Sequence, residues 1–341
     1  MKKFLMTATV PSMIGQFNMN NIRLLLDMKY EVHVACNFRD RSVWTEERIK
    51  KFEQQLSELH VKKIQIEYAR TPYNIPKLIK SYFELKKLIR KEKYDGLHCH
   101  TPVAGLIARS AAKRAGTKTR VIYTAHGFHF YKGAPVLNWL LYYPIEKWMS
   151  RYTDVLITIN REDYQRAKRK FHAKEISYVP GVGIDVEKIQ SVQVNWKVKR
   201  KEIGIAEDDF LLLSVGELNK NKNHEVVIRA LAELKNPKIK YVICGQGPLK
   251  GYLEDLAEEL GVKEQLFLLG FRTDVIEICK SANVFVFPSK REGLSVALME
   301  AMACKLPCVV SKIRGNTDLI KEGKGGYFFP AFSKDECKKK L

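Results

Sequence analysis

Short apolar runs alternate with longer segments of helical spacing along the first half of the chain. Six runs have the length and apolar content of strands: 4–10, 31–37, 63–69, 96–100, 120–126 and 155–160. Between them, segments such as 75–92 and 104–116 repeat apolar residues with the period of an amphipathic helix. Because strands alternate with helices, the pattern predicts a parallel sheet with helices on both faces.

The second half repeats this scheme after a segment that is rich in breakers. Further strand-like runs lie at 210–216, 240–245, 265–270, 284–288 and 307–311. Pro180, Gly181 and Gly183 interrupt the segment 178–192, which predicts a hinge. We therefore expect an α/β fold of two Rossmann-like, doubly wound domains, 1–190 and 191–341, that face each other across a cleft. Ligands of such sheets bind at the carboxyl ends of the strands.

Charge adds a constraint on the partners of the protein. The 341 residues include 59 Lys or Arg and 38 Asp or Glu, a formal net charge of +21. Residues 1–190 contain 34 basic and 18 acidic side chains, against 25 and 20 in residues 191–341. The positive field therefore belongs mostly to the first half, and it indicates an anionic partner such as nucleic acid, a phosphorylated ligand or an acidic lipid surface. With 45% hydrophobic residues, a wholly disordered chain is excluded.

The cysteines and the N-terminus indicate a cytoplasmic protein. Seven scattered cysteines without a C-x-x-C pair are typical of free thiols in a reducing compartment. The start MKKFLMTATVPSMIG superficially resembles a signal peptide, but polar residues and Pro11 interrupt it, so a first buried strand is the better interpretation. The sequence contains no run of 18 uncharged apolar residues, so it predicts no helix that spans a bilayer.

The segment 287–311, FPSKREGLSVALMEAMACKLPCVVS, combines a strand end, a polar loop and a helix that we expect to begin near Leu294. The backbone N–H groups of a first helical turn, here those of Leu294, Ser295 and Val296, favour an anion such as a diphosphate. Gly293 lets the backbone approach closely. Glu292 and Glu300 are suited to accept hydrogen bonds from sugar hydroxyls, and the apolar surroundings of Glu300 in ALMEAMA call for a partner.

At this point the sequence resembles the retaining glycosyltransferases of family 4, which have the GT-B fold. The spacing of Glu292 and Glu300 within EGLSVALMEAMACKLPCVVS carries the resemblance. Nearly the whole chain takes part, through MIGQFN, YEVHVACNF, LHCHTPVAG, YTAHGFHFYKG, GVGID, VGELNKNKNH and IRGNTDLI in that order. Their combination is similar to the bacterial exopolysaccharide and capsule-synthesis branch.

The resemblance implies roles for residues of the second domain, which in this family holds the nucleotide-sugar donor. Glu300 matches the glutamate that binds the nucleotide ribose, and Glu292 matches the one that contacts hydroxyls of the donor sugar. Lys222 matches a lysine that neutralises the diphosphate. Glu217 replaces an arginine that is common in relatives and would repel a diphosphate if it pointed inward, a loss for which Asn219 and Lys220 could compensate.

Other positions of this half are candidates for donor binding. Gly216 follows one strand, and Gly245, in CGQGP, follows another, although a tight strand–helix turn explains the second motif equally well. The resemblance places the backbone of Phe271 and Arg272 beside the base. Asp318 stands where relatives usually have glutamate.

In the first half, His126 ends a predicted strand and is followed by Gly127. The resemblance implies that His126 lies against the donor sugar, with His129 as a weaker candidate. Gly15 loosely matches a paired-glycine loop that contacts the donor phosphate and the acceptor, with Gln16 in place of one glycine. His98 and His100 form H-x-H, but without further ligands at suitable spacing we interpret them as loop and packing residues.

The resemblance also implies a reaction. A sugar leaves a nucleotide diphosphate, which we expect to be UDP, for a hydroxyl of a lipid-linked saccharide, with retention at the anomeric carbon and by front-side attack. His126, Glu292 and Lys222 are the candidate catalytic residues, and Lys222 with the helix amides stabilises the leaving diphosphate. We expect no metal and no cofactor, and domain closure about residues 180–195 should exclude water.

Two alternatives remain open and one is excluded. A GT-B nucleotide-sugar epimerase would use the same donor without an acceptor. A nucleic-acid-binding protein would explain the charge but neither Glu292 nor Glu300, and no motif for nucleic acid is present. An NAD-dependent oxidoreductase is excluded because no G-x-G-x-x-G opens the first strand–helix turn.

The charge of the first domain and the C-terminal sequence lead to two further expectations. A basic first domain with helices such as 75–92 fits an anionic leaflet, so we expect a peripheral protein on the inner face of the cell membrane. Family members usually continue with helices that return to the first domain. This sequence stops in AFSKDECKKKL, so we expect a donor domain that is incomplete at its end.

Overall fold

Apolar strands build one parallel sheet in each half of the chain. The computed structural model describes residues 1–71 and 73–341. The chain forms two units, Met1–Val182 and Gly183–Leu341. Both are α/β units in which helices connect parallel strands, as the alternating pattern predicts.

The sheet of the first unit has seven strands in the order β3-β2-β1-β4-β5-β6-β7. The strands are β1 (Lys3–Thr7), β2 (Glu31–Cys36), β3 (Lys62–Gln65), β4 (Gly96–His100), β5 (Arg120–Ala125), β6 (Val155–Thr158) and β7 (Glu175–Tyr178). All neighbouring pairs are parallel. The strand order reverses between β1 and β4, which is the switch point of a doubly wound sheet.

Helices cover both faces of this sheet. They are α1 (Pro11–Phe17), α2 (Met19–Asp27), α3 (Glu46–Glu58), α4 (Ile75–Glu92), α5 (Pro102–Ala115), α6 (Val136–Met149) and α7 (Arg161–Lys170), with a short 3-10 turn at Ser150–Tyr152. One apolar core packs α1 and α3 against the sheet, and a second packs α4 and α5. Helix α5 contacts both α4 and α6, so the three helices share one face.

The sheet of the second unit has six parallel strands in the order β10-β9-β8-β11-β12-β13. The strands are β8 (Phe210–Val215), β9 (Ile239–Cys244), β10 (Leu266–Gly270), β11 (Val284–Phe287), β12 (Cys308–Ser311) and β13 (Gly326–Phe329). The helices are α8 (Val186–Ser191), α9 (Trp196–Glu202), α10 (Glu225–Leu234), α11 (Lys250–Glu259), α12 (Val275–Ser281), α13 (Val296–Ala303), α14 (Asn316–Leu319) and α15 (Lys334–Lys340), with a 3-10 turn at Lys263–Gln265. The order reverses between β8 and β11.

Two edge strands were absent from the predicted set. β7 and β13 have four residues each and form the outer edges of their sheets. An edge strand is covered less completely than a central one, so its sequence needs no continuous apolar run. β7 has no fully buried residue, which explains why the apolar pattern does not reveal it.

The boundary between the units lies between Val182 and Gly183, eight residues before the predicted one at 190. Helix α8 packs against α13, and Lys280 Nζ donates to the carbonyl oxygens of Gln190, at 2.9 Å, and Val192. These contacts attach residues 183–192 to the second unit.

Among the described helices, none is both long enough and apolar enough to cross a membrane. All seven cysteines are free thiols, and only Cys304 is not fully buried.

A buried ion pair fixes α6 to the first unit. Arg109 on α5 is 1% exposed, and its Nη2 lies 2.8 Å from Glu146 Oε2 on α6. The guanidinium also stacks on the Tyr123 ring, 4.0 Å from its centre, and the Tyr123 hydroxyl donates to Glu146 at 3.2 Å. A buried charge needs such partners because desolvation is costly.

Glu146→Ala should therefore destabilise the protein strongly, since it leaves Arg109 buried without its counter-charge. We expect the free energy of unfolding to fall by about 3–5 kcal/mol in denaturant titrations. Glu67→Ala, which removes a partly exposed partner of Lys80 and Arg39, is the control and should cost much less. Equal effects of the two substitutions would contradict this role of the buried pair.

Candidate functional site

Four loops of the second unit meet at the carboxyl ends of β8, β9, β11 and β12. The closest approach is between the first two. A Cβ atom on Gly245 would overlap the carbonyl oxygen of Gly216, and one on Gly216 would lie 2.9 Å from Lys222 Cε. Only glycine at position 245 allows this backbone contact, and the absence of a side chain at Gly216 leaves room for the stem of Lys222. Gly216 and Gly245, predicted as ligand contacts, therefore shape the site.

Lys222 and Glu292 form an ion pair between the loop after β8 and the loop after β11. Lys222 Nζ lies 2.8 Å from Glu292 Oε1, and the two side chains are 19% and 16% exposed. The same ammonium lies 4.8 Å from the centre of the Phe287 ring. The Asn221 side chain donates to the Arg291 carbonyl at 2.9 Å and ties the loops together. The two residues that the sequence predicts as donor contacts thus lie side by side.

Asn219 shapes the loop that carries Lys222. Its Oδ1 accepts hydrogen bonds from the backbone N–H groups of Asn221 and Lys222, each at 3.0 Å. Its Nδ2 donates to the Glu217 carboxylate at 3.0 Å, and Glu217 is exposed. The side chain of Asn219 is therefore engaged in the turn that positions Lys222.

The helix of the Glu-rich segment begins two residues later than the sequence predicts. α13 starts at Val296, with Ser295 as the N-cap, and the Ser295 hydroxyl accepts from the Leu298 N–H at 3.3 Å. Leu294 precedes the helix and is buried. Serine is a preferred N-cap because its side chain satisfies one first-turn donor. In the described structure the N–H groups of Val296 and Ala297 have no acceptor, and they point out of the first turn of α13.

Glu300 lies on the second turn of α13, half-buried among apolar residues. Burial raises the pKa of its carboxyl group. No cation or hydrogen-bond donor of the described residues contacts this carboxylate, so it keeps its capacity to accept hydrogen bonds. Its place on the same helix as the Val296 and Ala297 amides combines an anion-binding end with an acceptor of hydroxyl groups.

Arg272 and Phe271 follow β10. The Arg272 guanidinium is paired with Asp274, at 2.8 Å, and with Glu202 on α9, at 2.7 Å. The hydrogen bonds from Arg272 and from Lys199 hold the pKa of Asp274 below its usual range. Phe271 is about half exposed. The arginine side chain is thus committed to a structural network, and the predicted contacts through the backbone stay a prediction.

In the first unit, His126 directly follows β5 and contacts another histidine. His126 Nε2 lies 3.0 Å from His100 Nδ1, at the end of β4. Burial lowers the pKa of His126 to about 4, so the ring is uncharged at neutral pH. Sequence reasoning assigned His100 to packing and missed this contact, although the H-x-H at a strand end is a signal for it.

His126 lines a cavity of about 170 Å³ in this unit. Met13, Tyr123 and His129 are also part of its wall, and Tyr142 of α6 stacks on His129 with ring centres 4.6 Å apart. The wall is mainly aromatic and apolar.

Gly15 was predicted in a loop, and the structure corrects this. Gly15 lies inside α1, where a Cβ atom would overlap the Trp44 ring. The absence of a side chain allows α1 to pack against Trp44, which is buried. The absence of a side chain at Gly15 thus serves packing in this structure, and the predicted contact with a donor phosphate stays a prediction.

The described residues contain no group of three or more His, Cys, Asp or Glu side chains that could hold a metal ion. His98, the other histidine of the H-x-H, contacts the Thr124 hydroxyl at 2.8 Å through Nε2.

Two family models match the chain, one in each half. "Glycosyl transferase 4-like" matches residues 15–160, and "Glycosyl transferases group 1" matches residues 196–341. The second includes Lys222, Glu292 and Glu300.

Curated relatives extend the similarity over most of the chain. "Putative glycosyltransferase EpsD" of Bacillus subtilis is 39% identical over 331 residues, which cover 96% of this chain and 83% of the relative. "UDP-Gal:alpha-D-GlcNAc-diphosphoundecaprenol alpha-1,3-galactosyltransferase" of Escherichia coli is 34% identical over 256 residues, 73% of this chain and 66% of the relative.

The fold is similar to that of Anabaena Alr3699/HepE, solved in complex with UDP and glucose. The TM-score is 0.77 at 17% identity, with coverage of 99% of this chain and 88% of the other. With two parallel sheets of Rossmann type and a relative that is 39% identical over 96% of this chain, the chain belongs to the family 4-like glycosyltransferases of the GT-B fold.

Proposed function

We propose that this glycosyltransferase moves a hexosyl or N-acetylhexosaminyl group from a UDP-sugar to a hydroxyl of a lipid-linked saccharide, with retention at the anomeric carbon. The observation that carries the proposal is the Lys222–Glu292 pair at 2.8 Å beside the helix of Glu300. The cation suits the diphosphate of a nucleotide sugar, and the carboxylates suit the hydroxyl groups of its sugars.

In this proposal Lys222 and the N–H groups of Val296 and Ala297 bind the diphosphate. Negative charge grows on the diphosphate as its bond to the anomeric carbon breaks, so groups fixed there beforehand lower the barrier. The acceptor oxygen bonds to the same face of that carbon, and the acceptor proton passes to the departing phosphate oxygen. This charge stabilisation by lysine and amides requires no metal, so transfer should continue in the presence of a chelator.

The carboxylates orient the two sugars of the donor. Glu300, which has open acceptor capacity, binds the ribose hydroxyls, and Glu292 accepts from hydroxyls of the transferred sugar. The backbone near Phe271 borders the base. His126, uncharged at neutral pH, can donate one hydrogen bond to the transferred sugar without adding a positive charge that would oppose the oxocarbenium-like transition state.

The donor and acceptor classes have support from relatives. The E. coli relative is named for UDP-Gal and for an acceptor with a diphosphoundecaprenol group, and the Anabaena structure contains UDP and glucose. The basic first half fits an anionic membrane surface at which such an acceptor is embedded. We extend the proposal to exopolysaccharide or capsule synthesis at the inner face of the cell membrane, as the resemblance implies.

A nucleotide panel tests the proposal. UDP and UDP-sugars should raise the melting temperature and be consumed only with release of UDP, whereas ADP and single-stranded DNA should not protect the protein. A ligand that binds the native state but not the unfolded state raises the melting temperature. Formation of an epimeric UDP-sugar without release of UDP would replace the transferase by an epimerase, and protection by DNA alone would overturn both.

Glu300→Gln separates stability from binding. Because burial raises the pKa of Glu300, the ionised form opposes folding, and this cost is present above the raised pKa and disappears as the pH falls through it. At pH 7 the variant without ligand should therefore unfold at higher denaturant concentration than the parent, with the difference shrinking in acid. Its affinity for UDP should fall by about tenfold or more, as expected for a lost hydrogen bond to a charged acceptor.

Glu259→Gln, at an exposed position of α11, is the control for Glu300→Gln and should change neither quantity. A Glu300→Gln protein that binds UDP normally, as measured by calorimetry, would remove the ribose role.

Lys222→Met should lower kcat by about 100-fold or more, since it removes the cation that faces the leaving diphosphate. Lys201→Met, at an exposed position of α9, should retain activity within a few-fold. Steady-state rates of UDP release check both variants, with melting curves to verify folding. Comparable rates for the parent and the Lys222 variant would refute the role of this lysine.

A further inference from the structure

Helix α6 exposes an apolar face that the first unit does not cover. Leu137 and Leu140 are 63% and 67% exposed. With them, the outer face of α6 consists of Val136, Leu137, Leu140, Leu141, Ile145 and Trp148, all of which are exposed. Their spacing places them along one side of the helix. Scattered exposed apolar residues are normal, but six on one 14-residue helix form a contiguous patch of the kind that marks an interaction site.

The outer face of α6 is exposed although the inner side of the helix is firmly packed against the first unit. The opposite side of α6 carries Glu146, which pairs with buried Arg109, and Tyr143, whose ring packs edge-on against Phe130 with centres 5.3 Å apart. Tyr142 stacks on His129 at the cavity. With these contacts in place, α6 cannot rotate its outer face into the core without exposing a buried ion pair.

Cations flank the apolar face, and no exposed acid interrupts it. Lys132 precedes α6, Lys147 lies in its last turn, and Arg151 follows it. Among the described residues none of these three has an ion-pair partner. The only acid of α6 is Glu146, which is buried. A row of apolar residues between unpaired cations is complementary to a bilayer with anionic headgroups and an apolar interior.

Helix α4, which packs on α5 as α6 does, also combines exposed apolar residues with cations. Ile75, Ile79 and Phe83 are exposed at intervals of four residues. The helix contains six Lys or Arg and two Glu. Since α5 contacts both α4 and α6, these two helices lie on the same side of the sheet. Part of the charge of this half thus lies on the same side of the sheet as α6.

We propose that α6 inserts its outer face into the interfacial layer of an anionic lipid bilayer, with Lys132, Lys147 and Arg151 at the headgroups. At about 1.5 Å per residue, 14 residues span about 21 Å, too short for the hydrocarbon core, so the helix lies in the plane of the membrane. Trp148 at its end suits the headgroup level.

This docking deepens the proposed function and rests on its lipid-linked acceptor. The inner side of α6 supplies Tyr142 to the cavity that His126 lines. A helix with one side in the membrane and the other at this cavity holds the cavity next to the surface from which a lipid-linked saccharide extends. In this proposal the first unit binds the acceptor, and α6 holds its cavity at the surface of the bilayer.

Vesicle flotation tests the proposal with a pair of matched double variants. Leu137→Ser with Leu140→Ser removes two central residues of the face. Leu24→Ser with Met28→Ser removes two comparably exposed residues, on and just after α2. On vesicles of phosphatidylcholine with about one-third phosphatidylglycerol, the α6 variant should lose binding by about tenfold or more, and the α2 variant should bind like the parent.

A third variant tests the electrostatic part. Replacing Lys132, Lys147 and Arg151 by Gln should abolish the preference for anionic over pure phosphatidylcholine vesicles and the loss of binding at high salt. Flotation of the α6 variant at the level of the parent would overturn the proposal. So would a parent that is dimeric and an α6 variant that is monomeric with unchanged flotation, because the face would then join two copies of the chain.

Two further measurements keep this inference distinct from the proposed function. Protection by UDP and transfer to a short-chain, water-soluble acceptor should be the same for the α6 variant and the parent, whereas transfer to a vesicle-embedded acceptor should fall with binding. Loss of UDP protection in the parent would refute the transferase proposal alone. Equal transfer to the embedded acceptor by both proteins would refute the role of α6.

Discussion

The approach of two glycines at the ends of β8 and β9 determines where the chemistry of the second unit can lie. Gly216 and Gly245 are so close that no side chain fits at Gly245, and the absence of one at Gly216 leaves room for the stem of Lys222. This places the ammonium over Phe287 and 2.8 Å from Glu292. A side chain at Gly245 would push the two loops apart, and one at Gly216 would press on the stem of Lys222 and displace its ammonium. The charge arrangement therefore depends on backbone packing as much as on the charged residues themselves.

Glu300 illustrates how such a site is maintained at some expense to the folded state. Its carboxyl group is half-buried on α13 and has no cationic partner among the described residues, and burial raises its pKa. The extensive ion pairing elsewhere, as in the two partners of Arg272, shows that the chain supplies counter-charges where they serve stability alone. An acceptor that is desolvated beforehand binds a hydroxyl ligand more strongly, which agrees with a role that opposes stability in the unliganded protein.

The sequence predicts the central parts of this structure better than its margins. Strand β4 has the predicted limits, and Lys222 and Glu292, 70 residues apart, were assigned to one site before their contact was visible. β13 escapes the sequence pattern because GYFF, although apolar, is only four residues long and directly follows the glycine-rich turn KEGKG. The start of α13 was misplaced because both Leu294 and Ser295 are compatible with a first turn, and only the hydroxyl bond to Leu298 identifies the N-cap. The sequence does not explain Gly15, because the glycine is required by its contact with Trp44, a residue distant along the chain.

The charge of the first half and the exposed face of α6 acquire a joint explanation only in three dimensions. In the sequence, 136–149 is an aromatic and apolar helix with Pro144 inside, and its pattern does not tell which side is covered. The Arg109–Glu146 pair decides this, because it fixes the inner side and leaves the leucines outside. Electrostatic attraction alone would hold a basic domain loosely above an anionic surface, and an apolar face alone would not select one lipid over another. Together they give both selectivity for anionic lipid and insertion into the bilayer. The net charge of +21 therefore contributes most where cations without an ion-pair partner border exposed apolar residues.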